Sequence, residues 1–226
     1  MKAVFKIGGH LLPVKYDATR IAEYAKTLKK IRRKGHTLAV VVGGGENARS
    51  YVDAARSLGA DEASCDQIGI EVTRLNAELL IQGLGEDAYP TPPRSIPELK
   101  KALQTEKIVV LGGLTPGHST DAVAAIVSEI MKAELFVRLT DVDGVYTDNP
   151  KTNPDAKRID TISARQLLEM VISKRCWAGE YELIDPIAAK IIERSSIPTR
   201  VVDGKDPKNL ERVVLQQKKI GTLVSG

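Results

Sequence analysis

The sequence has little cysteine and no long apolar run. Its two cysteines, Cys65 and Cys176, stand far apart and outside any Cys-x-x-Cys spacing. That excludes a zinc ribbon or a disulfide framework and fits a reducing compartment. No stretch approaches the roughly 18 apolar residues that span a bilayer, so no membrane role is expected. Met1 to Lys6 pass straight into a strand pattern rather than a signal-peptide design, and a cytoplasmic location is expected. Charge of one sign is not in large excess either: net charge is +4 and the sequence pI is near 9.0. The basic clusters at 29–34 and 217–219 read as solvated helix faces, and no nucleic-acid partner is expected. The familiar phosphate signatures are missing as well. No G-x-x-x-x-G-K-[ST] occurs, no G-x-G-x-x-G follows a strand, and the H-R-D and D-F-G pair is absent. A Walker A loop, a dinucleotide fingerprint and a protein kinase are thereby set aside.

What the sequence does have is alternation. Short apolar runs at 3–7, 38–42, 108–111, 135–139, 199–202 and 222–224 read as strands. Amphipathic stretches near 17–34, 46–58, 66–83, 163–173, 185–195 and 207–215 read as helices, with a further helix around Val123, Ile126, Val127, Ile130 and Met131. In the 66–83 helix, Ile70, Leu75, Leu79 and Leu80 are expected to point inward. Pro90, Pro92, Pro93 and Pro97 mark a stiff connector, not a domain linker, because the same alternation continues on both sides. A 42% hydrophobic content over 226 residues suffices for one large core. The expected fold is α/β: a three-layer αβα sandwich around a mostly parallel twisted sheet, in a single domain over 1–226. Right-handed crossovers place all strand C-termini along one edge, where ligands bind at the point of strand-order reversal.

Three glycine turns fall on that edge: Gly8-Gly9, Gly43-Gly44-Gly45, and Gly112-Gly113 through Gly117. Without a Cβ the backbone can take positive φ and bring its N–H groups close to a phosphate. A helix starting just beyond adds its free N–H groups and dipole. One such turn is commonly mere packing; three on one rim point to phosphate handling.

Together these residues resemble the amino-acid-kinase superfamily. Lys6-Ile-Gly-Gly-His10 is similar to its first-strand Lys-x-Gly-Gly/Ser turn, and Val42-Gly-Gly-Gly45 with Arg49 to its second glycine loop. Ser119-Thr120-Asp121 and Thr140-Asp-Val-Asp-Gly-Val-Tyr146 resemble later signatures. Within the superfamily the chain is most similar to UMP kinases, particularly the short archaeal type. Asp66-x-x-Gly69 with Asn76, the run from Leu114 to Thr120, and Leu183-Ile-Asp-Pro through Ile192 carry that likeness. The resemblance implies the amino-acid-kinase, or carbamate-kinase-like, fold and transfer of the γ-phosphoryl group of ATP, with Mg²⁺, onto UMP. It implies an acceptor-binding part roughly over 1–135, an ATP-binding part roughly over 136–226, and a homo-oligomer, a hexamer built as a trimer of dimers.

Carried over by position, the resemblance implies catalytic roles for Lys6, Arg49 and Asp121. ATP is expected at Gly8, Gly9, His10, Gly45, Arg49, Thr140, Asp141, Tyr146 and Asn149. UMP is expected at Gly44, Asp66, Leu114, Thr115, Pro116, Gly117, His118, Ser119 and Thr120. Each has a plainer reading beside it. Lys6 alone suits a snorkelling strand-edge lysine, and Arg49 a solvated arginine on the first turn of its helix. Asp121 suits a carboxylate facing a helix dipole, Asp66 an N-cap at the start of its helix, and Tyr146 core packing. His118 is not expected to act as a general base, because phosphate acceptors are already anionic at pH 7. His10 and His36 read by default as turn histidines.

Two positions depart from the family pattern. Bacterial UMP kinases usually carry lysine where this chain has Asp141, and the usual aspartate before Pro150 is Asn149. An isopentenyl phosphate kinase or carbamate kinase is the neighbouring enzyme reading. The stretch Glu46-Asn47-Ala48-Arg49 lacks the histidine expected of the former. A nucleotide-binding regulatory protein is the reading from another class, supported only by Asp141.

Overall fold

The computed structural model describes residues 1–11, 18–173 and 184–225. In chain order it contains β1 (Lys2–Ile7), α1 (Ala18–Arg33), β2 (Thr37–Val42), α2 (Gly45–Ser57), α3 (Glu62–Leu84), α4 (Ile96–Ala102), β3 (Val109–Leu111) and α5 (Thr120–Met131). There follow β4 (Leu135–Thr140), β5 (Val145–Tyr146), β6 (Arg158–Ile159), β7 (Thr161–Ser163), α6 (Ala164–Ser173), α7 (Pro186–Ser195), β8 (Thr199–Asp203), α8 (Lys208–Val214) and β9 (Thr222–Ser225). Seven strands form one sheet in the order β3-β2-β1-β4-β8-β9-β7, and β5 and β6 form a separate antiparallel pair.

The layers follow from strand parity. Along β1, Ala3, Phe5 and Ile7 join one apolar cluster while Val4 joins the other. β2 divides the same way, with Leu38, Val40 and Val42 on one face and Ala39 and Val41 on the other. Side chains alternate across a pleated strand, so a run apolar at every position needs cover on both sides. α1, α3 and α8 cover the first face through Tyr24, Leu28, Leu80 and Leu210. α4, α5, α6 and α7 cover the second through Leu99, Val123, Leu167 and Ala188. Each large side chain removed from water there contributes about 1.5–3 kcal/mol. The three-layer α/β sandwich expected from the sequence is present.

β1 is flanked by β2 on one side and β4 on the other, all parallel. The chain thus runs outward from β1 to β2 and β3, then returns across β1 to begin β4. The reversal lies between β1 and β4. One expectation fails beyond that point: β9 runs antiparallel to β8, and β7 pairs parallel with β9. Only β1, β2, β3, β4 and β8 therefore end on the common edge. Alternation of apolar residues fixes a strand's faces but not its direction.

Two helices also differ from expectation. α3 begins at Glu62, capped by Asp61, whose side chain accepts the Ser64 N–H at 2.8 Å. It turns Ile70, Ala77, Leu80 and Leu84 inward, but Leu75 is 59% and Leu79 38% exposed. At 100° per residue these two leucines fall on the face opposite the sheet. The proline-marked connector contains α4, which Ser95 caps: its hydroxyl accepts the Glu98 N–H while Glu98 accepts the Arg94 N–H. Pro97 sits in the first turn, where its missing N–H costs nothing. Leu183, part of the motif read at 183–192, lies outside the described residues, as does Cys176.

Candidate active site

The first two glycine turns meet backbone to backbone. A Cβ at Gly9 would lie 2.0 Å from the Gly45 nitrogen, and one at Gly45 would lie 2.4 Å from the Gly9 carbonyl oxygen. Gly45 also takes φ +68°, in the left-handed region. The turns after β1 and β2 therefore form one continuous rim. The third turn is tied to them by α3. Gly113 N–H donates to the Thr73 hydroxyl at 2.7 Å, and Asn76 Nδ2 donates to the Gly43 carbonyl at 2.8 Å. Thr73 and Asn76 are both buried, so two polar side chains on one helix face hold two loops in place.

Below the rim, at the β1–β4 reversal, lies a buried charge cluster. Lys6 and Arg138 are direct register partners on the two strands. Parity sends both to the α5 side, because Val4 and Phe136, two residues earlier on each strand, belong to that cluster. Asp121, the second residue of α5, meets them there. Arg138 donates from Nε to Oδ1 at 3.0 Å and from Nη2 to Oδ2 at 3.1 Å, and Lys6 Nζ stands 3.3 Å from Oδ1. The three are 4%, 7% and 5% exposed for Arg138, Lys6 and Asp121. Burial alone would raise the Asp121 carboxyl; Arg138 and Lys6 outweigh it and bring it down to about 2. Asp121 thus stays ionised and gathers one lysine and one arginine. Its position at the head of α5 is real, but the two cations, not the dipole alone, hold it.

Arg138 was not among the residues singled out from the sequence. The signal existed: it is a lone charge inside the apolar run Leu-Phe-Val-Arg-Leu, as Lys6 is inside Ala-Val-Phe-Lys-Ile.

The remaining expected residues divide into two groups. On the β1–β2–β3 side, Asp66 lies in the second turn of α3, so Asp61 takes the capping role and the N-cap reading of Asp66 falls. The Asp66 carboxylate instead accepts the Gly117 N–H at 2.7 Å, which ties the 114–120 loop to α3. Gly44, Leu114 and His118 are half-buried beside it, while Thr115 and Pro116 are exposed. The Ser119 hydroxyl caps α5 through Ala122 N–H and donates to Asp185, the cap of α7, so it is committed to joining two helix starts. Thr120 opens α5. Arg49 is the fifth residue of α2, on the second turn and not the first, and is exposed.

On the β4 side, Thr140 is buried at the strand end, followed by half-buried Asp141. Here the departure at 141 gains a partner, since Lys151 bonds the Asp141 carboxylate. His10 Nε2 approaches the same carboxylate at 3.9 Å. Burial, reinforced by Lys6, Arg138 and Lys151 and opposed by Asp141, holds His10 down at about 4, so it is neutral at pH 7. Tyr146 belongs to neither apolar cluster, which removes the core-packing reading; its hydroxyl donates to Asp143 at 2.5 Å. Asn149 organises the following turn by accepting the Lys151 N–H at 3.0 Å. Among the described residues no three His, Cys, Asp or Glu side chains converge as a metal cage.

The model of the amino acid kinase family covers residues 1–203. The chain belongs to the amino acid kinase family. Among relatives in that family, a uridylate kinase of Methanococcoides burtonii is 48% identical over 217 residues, covering 96% of this chain and 92% of that protein. A uridylate kinase of Methanocorpusculum labreanum is 45% identical over 223 residues, covering 99% and 95%. The crystal structure of a uridylate kinase from Archaeoglobus fulgidus superposes with a TM-score of 0.90 at 41% identity, over 100% of both chains. A UMP kinase structure from Bacillus anthracis, at 22% identity and a TM-score of 0.83 over 99% and 95% of the two chains, shares the fold. The described residues thus have the amino-acid-kinase fold.

Proposed function

We infer that this protein is an ATP-dependent UMP kinase, which transfers the γ-phosphoryl group of ATP to UMP and releases UDP and ADP for pyrimidine nucleotide synthesis. The observation that carries the reading is the joined rim of two glycine turns above the Lys6–Asp121–Arg138 cluster, in a chain whose full-length relatives are named uridylate kinases. Transfer between two phosphates is chiefly a matter of positioning and of neutralising anionic oxygens. Lys6, at the end of β1 beneath the rim, neutralises charge on the transferring group, and Asp121 holds Lys6 there. Arg49, on the open face of α2, clamps phosphate oxygens in two-pronged fashion.

UMP lies on the β1–β2–β3 side, in the part roughly over 1–135. The backbone of Gly44 and the 114–120 loop surround it, and Asp66 accepts its ribose hydroxyls. ATP lies on the β4 side, roughly over 136–226, against Gly8, Gly9, His10, Gly45, Thr140, Asp141, Tyr146 and Asn149. ATP enters as its Mg²⁺ complex, in which the ion is held by phosphate oxygens and water and offsets their charge. The protein works in the cytoplasm as a homo-oligomer, a hexamer arranged as a trimer of dimers. Support for association is the exposure of Leu75 and Leu79 on α3.

The test is steady-state release of ADP with UMP, CMP, isopentenyl phosphate or carbamate as acceptor. UMP is expected to lead in kcat/KM by about tenfold or more, roughly 1.4 kcal/mol. A lead for another acceptor contradicts the assignment. Asp66→Ala is expected to raise the KM for UMP and spare that for ATP.

A further inference from the structure

Arg138 is nearly as inaccessible as the core leucines around it, yet the division of labour above gives it no task. A buried guanidinium requires a carboxylate, but the converse is not needed here: Lys6 alone would satisfy the charge of Asp121. A one-to-one ion pair would, however, cancel the field of the Lys6 ammonium where it is wanted. Lys6, Arg138 and Asp121 together carry one net positive charge. The geometry divides the carboxylate unequally. Arg138 takes both oxygens from one planar fork, at 3.0 and 3.1 Å, while Lys6 Nζ stands 3.3 Å from Oδ1. The strand register puts the two cations side by side, and both meet the same carboxylate at the start of α5.

We propose that Arg138 is a positioning residue of the phosphoryl-transfer centre, clamping Asp121 so that the Lys6 ammonium keeps its charge directed at the transferring group. The proposal rests on the kinase reading and extends it, since Arg138 acts through Asp121 and Lys6 and touches no substrate. Lysine at 138 preserves the charge but not the two parallel bonds, so the fork itself contributes. The competing role is an ion pair that only fastens β4 to α5. That role predicts lower thermal stability with unchanged turnover per folded molecule.

The experiment measures kcat and both KM values for the wild-type chain, Arg138→Met, Arg138→Lys, Asp121→Asn and the Asp121→Asn/Arg138→Met double variant. Arg138→Met is expected to lose kcat by about tenfold or more with the KM for UMP little changed. Arg138→Lys is expected to recover part of that loss. Against the Asp121→Asn background, which has no carboxylate to clamp, Arg138→Met is expected to alter kcat by less than about threefold. Should Arg138→Met fail to fold, Arg138→Lys, which keeps the buried charge, carries the test: a folded Arg138→Lys with wild-type kcat and KM overturns the proposal, and a reduced kcat with little change in the KM for UMP supports it. A persistent tenfold loss in the Asp121→Asn background, or a folded Arg138→Met with wild-type kcat, overturns the proposal while the UMP kinase reading stands. A wild-type chain that prefers another acceptor overturns the UMP reading, and the variants are then compared on that acceptor. A wild-type chain with no phosphoryl transfer overturns both.

Discussion

The two halves of the candidate site are held by different physics. On the β1–β2–β3 side, backbone lies against backbone, with Gly9 and Gly45 so close that neither position has room for a methyl group. Buried Thr73 and Asn76 lock the loops from below. On the β4 side, the β5–β6 pair stands apart from the main sheet and is joined to it through Thr222, whose hydroxyl takes the Val145 N–H at 2.7 Å. Its surface is a set of ion pairs among partly exposed groups: Lys151 with Asp141, and Arg158 with Asp143 and Asp160. Exposed pairs contribute roughly 0–1 kcal/mol each and exchange partners easily. One half is thus preformed by excluded volume, while the other is set by partly exposed charges that can exchange partners.

Gly9→Ala is the strongest way to break the comparison. Its Cβ meets main-chain atoms, which cannot rotate away, so stability is expected to fall by about 3 kcal/mol or more. Differential scanning calorimetry would register that as a drop of roughly 6–12 °C in Tm. An unshifted Tm would show that the turns separate readily and that the rim is not preformed.

Next in size is Asp121→Asn, which leaves Lys6 and Arg138 adjacent without their anion. A loss of about 2–3 kcal/mol is expected at pH 7. The pH dependence has a definite sign. Burial raises the Asp121 carboxyl, but the two cations draw it below the ordinary 3.8, to about 2. Its contribution is therefore complete above pH 4 and fades as pH falls from about 4 to about 2. Acid titrations of the two proteins should converge across that window. A constant gap down to pH 2 would mean that the charge of Asp121 is not what stabilises the cluster.

Thr73→Val deprives the buried Gly113 N–H of its acceptor while keeping the shape of the side chain. About 1–3 kcal/mol is expected, read from urea unfolding, with the KM for UMP raised more than that for ATP. Smallest is Lys151→Ala, for which stability is expected to change by less than about 0.5 kcal/mol. Its effect should appear in function, as a raised KM for ATP with the KM for UMP unchanged. A large stability loss at Lys151 would erase the contrast between the two halves.

The sequence was most informative where one physical rule governs. β1, β2 and β4 are legible because buried parallel strands read as near-continuous apolar runs ending in polar or glycine residues. The convergence of the glycine turns followed from that, since neighbouring parallel strands end together. Direction was not legible: β9 has the same apolar character as its neighbours yet runs the opposite way. The two-residue strands β5 and β6 are too short for any periodicity. α4 was obscured by four prolines, although Ser95 and Glu98 form a capping pair at the right spacing. Leu75 and Leu79 read as core residues because α3 is apolar on more than one face, and composition does not say which face meets the sheet. In the site, Lys6 and Asp121 were found through resemblance, whereas Arg138 required the register that sets it beside Lys6. Lys151 required a contact with a residue ten positions earlier, on the other side of β5.

The most direct measurement is a crystal structure of the protein with UMP and a non-hydrolysable ATP analogue bound together. The expected result has the two phosphate tails meeting beneath the Gly9–Gly45 contact, with the γ-phosphate of the analogue within hydrogen-bonding distance of Lys6 Nζ. Nucleotides bound with their phosphates away from that contact, or both on one side of β1, would contradict it.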